Sequence, residues 1–223
     1  MNPILEVENV STWYPQIRGF FRHVHGWTKA CTDVSFHLKK EEILGIIGES
    51  GSGKTTLART IMRLVPSTKG KIFFDGIDIT TMSEKKLKPF RKKIQMVFQH
   101  PQESLNPKFS IFQTIDEVLT FFNIYSFALE RLEYIKFLLH TVGLDQDVLY
   151  RFPHELSIGQ LQRVSLARAL STNPEVLVLD ECVSSLDVSV QAQILNLLFD
   201  LQQKEHLSYV FISHDLSVVQ HMC

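Results

Sequence analysis

The amino-acid sequence predicts an α/β fold: a mixed, mainly parallel sheet with helices, an antiparallel β edge and an inserted helical segment. Three observations carry this. Short apolar runs of strand length alternate with stretches of 3.6-residue period at both ends of the chain. Asp75-Gly76 stands between apolar stretches, a hairpin signal because both residues tolerate positive φ. From Pro101 to Pro153 the periodicity is helical. At 223 residues, 44% of them hydrophobic and 21% charged, the chain can bury one substantial core or two small subdomains sharing an interface.

In order, Leu5 and Val7 alternate with Glu6 and Glu8 as in a half-buried strand, and Val34 to Leu38 repeats the pattern. Ile43 to Ile47 is a continuous apolar run, which predicts a strand buried on both faces. From Thr55 the period changes: Leu57, Ile61 and Leu64 share a helical stripe that Pro66 is expected to stop. Lys71 to Ile79 forms the hairpin. In the helical segment Ile111, Ile115, Val118 and Phe122 make one stripe, and Leu132, Ile135, Leu139 and Val142 another that ends at Gly143. The α/β pattern then resumes. Val176 to Leu179 is a buried strand, Val190, Ile194, Leu197 and Leu201 line a helix, and Tyr209 to Ile212 is a further strand.

Composition narrows the function. A net charge of -1 supplies no general basic field for nucleic acid or an anionic membrane, so the Lys85–Lys93 cluster reads as a solvated helix face and no nucleic-acid partner is expected. Cys31, Cys182 and Cys223 are widely spaced, forming neither a CxxC pair nor a disulfide scaffold, which suits a reducing compartment. No leader opens the chain and no apolar run reaches the ~18 residues needed to span a bilayer, so membrane attachment is expected to come through a partner.

The chemistry begins at Gly48-Glu49-Ser50-Gly51-Ser52-Gly53-Lys54-Thr55, followed by Thr56. Glycines let successive backbone N–H groups converge on phosphate oxygens, and the helix that follows adds positive potential at its N-terminus. In that setting Lys54 neutralises the β- and γ-phosphates of ATP and the Thr55 hydroxyl ligates Mg²⁺. Downstream, Val176-Leu177-Val178-Leu179 runs into Asp180-Glu181. An acid at the carboxyl end of a buried strand reaches the crevice where the metal would sit, and Glu181 is then placed to polarise the attacking water.

A third segment specifies the kind of nucleotide hydrolase. Leu156-Ser157-Ile158-Gly159-Gln160, with Arg163 and the helical run to Leu170, resembles the signature sequence of the ABC ATPases, and the resemblance extends from Leu5 to the last residues. It implies the ABC ATPase fold as a single domain over 1–223, with a RecA-like P-loop NTPase core over 1–100 and 154–223 and a helical subdomain over 101–153. It also implies that Gln99 is the Q-loop glutamine touching Mg²⁺ and water, Ser185-Leu186-Asp187 the D-loop, His214 the switch histidine, and Tyr14 the aromatic stacking on adenine. Ser157, Gly159 and Gln160 then grip the γ-phosphate bound to a second cassette.

The Val97–Pro107 stretch resembles more narrowly the Q-loop of the dipeptide and oligopeptide import branch, some members of which carry nickel, and Asp187 to Val219 is similar to its second, F-type, ATPase subunit. The implied partners are two membrane-spanning permease subunits, a sister ATPase and, indirectly, an extracytoplasmic solute-binding protein. The implied place is peripheral, on the cytoplasmic face of the inner membrane. Phe109 to Tyr125 is the candidate groove for a permease helix, with at least two of Phe112, Phe121 and Phe122 expected in the core. A non-transport ABC ATPase calls for a coiled-coil insertion or second cassette, and a silent subunit for loss of Glu181 or His214. Ile158, Leu161 and Cys182 depart from the family pattern, and the chain stops at Cys223, before the last strands and the C-terminal extension the resemblance implies.

Overall fold

The computed structural model describes residues 3–18 and 23–223. In chain order the strands are β1 (Leu5–Arg18), β2 (His23–Leu38), β3 (Ile43–Ile47), β4 (Lys69–Phe74), β5 (Ile77–Asp78), β6 (Ile94–Val97), β7 (Val176–Asp180) and β8 (Ser208–Ser213). The helices are α1 (Lys54–Ile61), α2 (Glu84–Lys93), α3 (Pro101–Ser104), α4 (Ile111–Phe121), α5 (Ala128–Thr141), α6 (Ile158–Leu170), α7 (Val188–Glu205) and α8 (Leu216–Met222). Two four-stranded sheets result, one antiparallel in the order β2-β1-β4-β5 and one in the order β3-β8-β7-β6 whose strand pairs are all parallel. The Asp75-Gly76 turn joins β4 to β5 with φ of 49° and 74°, as a two-residue hairpin with a primed turn requires.

The parallel sheet is a partition between two cores, and strand alternation assigns its side chains. Leu177 and Leu179 of β7, with Tyr209 and Phe211 of β8, face helices α4 to α7. Val176, Val178, Val210 and Ile212 face the opposite way, toward α1 and the antiparallel sheet. Tyr209 is fully buried and donates its phenol proton to the Leu198 carbonyl of α7 at 2.9 Å, so the hydroxyl it carries into that face is satisfied. The segment between β6 and α6 is helical, as its periodicity predicts. Gly143, at φ 71°, ends the α5 segment where Leu144 N–H bonds back to the Leu139 carbonyl.

Several expectations need correction. Strand β3 is not buried on both faces; it is the edge of its sheet, pairs with β8 alone, and leaves Ile47 47% exposed. Helix α1 ends at Ile61 rather than continuing to Leu64, because Arg63 turns the chain at φ 54° and leaves Leu64 49% exposed. The first two strands run far beyond Val7 and start well before Val34 as a long antiparallel pair, and Tyr14–Gln16 and Trp27–Lys29 in its outer part are exposed on both faces, with no burial pattern. Of the three phenylalanines, Phe112 packs against the core, Phe122 is half-buried and Phe121 is 57% exposed.

Leu177 makes the partition testable. Leu177→Ala removes a fully buried side chain between β7 and the helices and is expected to cost about 2–5 kcal/mol, read as a lower urea midpoint at unchanged m-value.

Candidate functional site

Parallel strands end on the same side, so the loops after β3, β6, β7 and β8 converge. The loop after β3 carries Gly48 to Gly53 into α1, with Gly51 at φ 80° and Gly53 at φ 98°. A Cβ at Gly53 would stand 2.0 Å from the Ala30 carbonyl oxygen. Ala30 is there because of a β-bulge: Thr12 pairs with Cys31 and Trp13 with Lys29, leaving Ala30 as the extra residue of β2. The loop folds over Lys54, whose Nζ donates to the carbonyls of Gly48 and Glu49, both at 2.8 Å.

Glu181 lies at the centre. Its Oε1 is 3.2 Å from Lys54 Nζ, its Oε2 accepts from Gln99 Nε2 at 3.0 Å, and His214 Nδ1 is 3.0 Å from the same Oε2. The carboxylate is nearly buried, and the backbone is left-handed at φ 45°, held by Glu181 N–H bonding the Ile212 carbonyl at 3.0 Å. Asp180 is also buried and accepts from Thr55 Oγ1 at 3.2 Å. Burial pushes its carboxyl above the usual carboxylate range and the charge of Glu181 adds to this, while the Thr55 hydrogen bond, Arg59 and Lys54 oppose it. A buried carboxylate beside a hydroxyl and a carboxamide is an oxygen donor set that fits Mg²⁺. Because the Gln99 amide nitrogen donates to Glu181, its carbonyl oxygen is the atom left to meet a cation.

A cavity of about 420 Å³ opens over the loop, lined by Thr28, Lys29 and Ala30, by Ser50, Gly51, Gly53 and Lys54–Thr56, and by Gln99 and Glu181. Its volume is that of a small-molecule site. A second cavity, about 410 Å³, shares Thr55 and Gln99 with the first and extends past Asp180 to Arg59, His100, Ser104 and Arg168. Sequence reasoning missed Thr28–Ala30, since the outer part of β2 shows no pattern to single them out. Tyr14 does not line the cavity. It sits directly across from Thr28, on the face that two residues earlier joins Thr12 to Thr60 of α1 at 2.9 Å. It is 39% exposed there, while Trp13 lies beneath Lys29 and Lys69, whose Nζ atoms are 5.2 and 5.1 Å from its ring centre.

Ser157, Gly159, Gln160 and Asp187 form a separate group that does not line this cavity. Ser157 caps α6, accepting from Gln160 N–H at 3.3 Å while its own N–H bonds Gln160 Oε1 at 3.0 Å. Asp187 caps α7, accepting from Val190 N–H at 3.0 Å and Ser189 Oγ at 2.7 Å, bonds that hold its carboxyl below the usual range. The two helix ends abut: a Cβ at Gly159 would be 2.7 Å from Val190 Cγ1. Ile158 is 44% exposed beside them. Leu161 is fully buried in the helical core, which accounts for an apolar residue there. Cys182 is buried after Glu181, and burial pushes its thiol up to about 12.

A glycine loop entering a helix, strand-end acids and a lysine reaching between them define the class: a P-loop nucleotide-binding domain, built for the phosphates of a nucleoside triphosphate. Residues 31–184 match the family model described as ABC transporter, and the chain belongs to that family. It is 50% identical over 220 residues to the oligopeptide transport ATP-binding protein AppF of Bacillus subtilis (strain 168), covering 98% of this chain and 67% of the relative. To the probable peptide ABC transporter ATP-binding protein y4tS of Sinorhizobium fredii it is 45% identical, covering 98% of this chain and 62% of the relative. The chain thus spans about two-thirds of the length of these relatives. Among solved structures, the dimeric post-hydrolysis state of the ATP-binding cassette MJ0796 bound to ADP and Pi superposes with a TM-score of 0.85 at 28% identity, covering 96% of this chain and 89% of that one.

The contact between α6 and α7 separates packing from ligand binding. Gly159→Ala is expected to cost about 1–3 kcal/mol in urea unfolding through the clash with Val190, and Val190→Ala in the same chain to recover most of that.

Proposed function

We propose that this chain is the ATP-hydrolysing, nucleotide-binding subunit of an ABC importer of peptides or oligopeptides. The observation that carries the chemistry is the Glu181 carboxylate, 3.0 Å from both Gln99 and His214 and 3.2 Å from Lys54. The names of the relatives at 45–50% identity support the solute class.

On this reading the loop from Gly48 to Gly53 cradles the phosphates with its N–H groups, Lys54 neutralises the β- and γ-phosphates, Thr56 belongs to the same nucleotide-binding segment, and Tyr14 stacks on adenine. Mg²⁺, when held by Thr55, Asp180 and Gln99, neutralises charge that builds on the phosphates. Glu181 accepts a proton from the attacking water as the water approaches the γ-phosphorus, and His214 orients both Glu181 and the γ-phosphate. The leaving ADP takes the bonding electrons. Ser157, Gly159 and Gln160 of one cassette close on the γ-phosphate bound to the other, with Asp187 reaching across, so two cassettes complete two sites. The division into a RecA-like core over 1–100 and 154–223 and a helical subdomain over 101–153 belongs to the same reading.

The partners are two permease subunits, a sister ATPase and, indirectly, an extracytoplasmic binding protein. No described helix is long and apolar enough to cross a membrane, and the chain is assigned to the cytoplasmic face of the inner membrane through the permease. A groove of about 280 Å³ between Met62, Leu64, Met96, Phe98, Val118 and Phe122 is the docking surface offered to a permease helix.

Glu181→Gln is expected to lower ATP turnover by on the order of 10² to 10⁴ while nucleotide binding is kept and an ATP-bound dimer accumulates. Unchanged turnover removes Glu181 from the role of base. In the reconstituted transporter, ATP turnover is expected to rise with binding protein loaded with an oligopeptide; a response to a nickel chelate instead overturns the solute assignment.

A further inference from the structure

The turn that follows Gln99 packs against helix α6 and is hydrogen-bonded to it through the side chain of Arg168. Arg168 reaches out of the last turns of α6, and its Nη1 donates to the Ser104 carbonyl at 2.7 Å while Nη2 donates to Ser104 Oγ at 3.3 Å. Ser104 is the last residue of the single turn α3 and is itself fastened, its Oγ donating to the Pro101 carbonyl at 2.9 Å. Pro101, buried at the first position of that turn, fixes the backbone φ next to His100, and Glu103 N–H closes back on the His100 carbonyl at 3.2 Å. From Gln99 to Ser104 the chain is therefore a short stiff link, with Glu181 at one end and Arg168 at the other.

The chemistry of Arg168 is unlike that of a packing residue. Among the described residues no carboxylate lies within 4 Å of its guanidinium, and burial pulls its pKa below the usual arginine range, with Glu117 opposing more weakly. Desolvating a cation against neutral acceptors costs free energy that an apolar side chain of similar volume would not incur. What the guanidinium supplies that an apolar residue cannot is a planar fork that bonds two atoms of one residue and fixes both distance and angle. The fork lies in the wall of the cavity that contains Thr55, Gln99 and Asp180.

We propose that Arg168 is a positioning residue that transmits the placement of Gln99 at Glu181 to the α6 end carrying Ser157 and Gly159. A continuous helix of 13 residues separates the two ends of this lever. Ser157 stands eleven residues before Arg168, about 16 Å along a helix axis at 1.5 Å per residue. A displacement of α3 then moves the Ser157 cap as one body with it, and a cassette whose Gln99 is withdrawn presents its signature group out of register. The inference rests on the roles proposed above for Gln99, Glu181 and Ser157.

The test is a double-mutant cycle on the purified, assembled transporter. Arg168→Met is expected to lower kcat by about tenfold, within the span produced by residues that link two sites, with KM for ATP and the thermal midpoint nearly unchanged. Arg168→Lys is expected not to restore kcat, because a point charge cannot bond both Ser104 acceptors. In a chain carrying Gln99→Ala as well, kcat is expected to fall no lower than in the more damaged single variant, since both changes break one link. Losses that multiply overturn the proposal, as does a joint fall of kcat, nucleotide affinity and thermal midpoint. Where Arg168→Met fails to fold, Ser104→Ala, which removes only the Oγ contacts, carries the same cycle with a smaller expected loss. Full turnover in Glu181→Gln would instead unseat the functional reading itself, independently of the cycle.

Discussion

The arrangement of the site depends on the Glu181 carboxylate. Four segments that are remote in sequence, those after β3, β6, β7 and β8, have side chains that all meet there: Lys54, Gln99, Glu181 itself and His214. The constraint is imposed by backbone as much as by charge. A residue with a Cβ at φ 45° costs about 1–3 kcal/mol in a place that does not need it, and here the Ile212 carbonyl holds the amide so that the side chain turns back over the sheet end. Asp180, one residue earlier, still has strand geometry and points to Thr55. Two adjacent acids thereby receive different neighbours.

That hub requires a platform that does not shift. Strands β7 and β8 supply it by burying every residue and sending alternate side chains into two separate cores. Each large apolar side chain contributes roughly 1.5–3 kcal/mol on burial, so sliding either strand by one residue would exchange the partners of both cores at once. The register is locked from both sides, and the distances among Lys54, Gln99, Glu181 and His214 inherit that stiffness. The long β1–β2 hairpin adds a third wall. Its bulge at Ala30 places a carbonyl against Gly53, which is why the loop needs a glycine there for reasons of space as well as dihedral angle.

Residues whose role follows from local chemistry were legible in the sequence. The glycine loop, the apolar run into Asp180-Glu181, the Ser157 and Asp187 caps and the Asp75-Gly76 turn all declare themselves within a few residues, and each has the predicted local form. What escaped depends on neighbours far along the chain. Ile43–Ile47 has the composition of an interior strand, but its place in the sheet order is decided by which strands pair, and it stands at the edge. The α1 stripe continued on paper to Leu64, yet Arg63 enters a left-handed turn that apolar spacing cannot signal. In the outer strands, Tyr14–Gln16, with Pro15 among them, and Trp27–Lys29 are exposed and have none of the alternation that burial imposes, so neither the length of these strands nor Thr28–Ala30 in the cavity wall was foreseeable. At least two of Phe112, Phe121 and Phe122 were expected in the core, yet only Phe112 packs against it, because α4 turns its buried stripe to Ile111, Ile115 and Leu119 and leaves Phe121 exposed.

The division of the recognised residues into two groups is itself informative. Lys54, Thr55 and Glu181 line one cavity and Thr55 and Asp180 the one beside it, whereas Ser157, Gly159 and Asp187 gather where α6 and α7 begin, with Gly159 pressed against Val190. Helix N-termini carry unpaired N–H groups and positive potential, which favour an anion, yet the phosphate loop of the same chain has its own helix for that purpose. A rigid α6, capped at Ser157 and tied at Arg168, cannot fold back to bring both groups onto one phosphate, because its buried face is committed to the helical core through Leu161 and Val164. On the proposed reading, an anion that meets the α6 end is presented from outside the chain. It is the γ-phosphate held by a second cassette, and on that reading the packing that keeps the two groups apart is what makes one cassette insufficient alone.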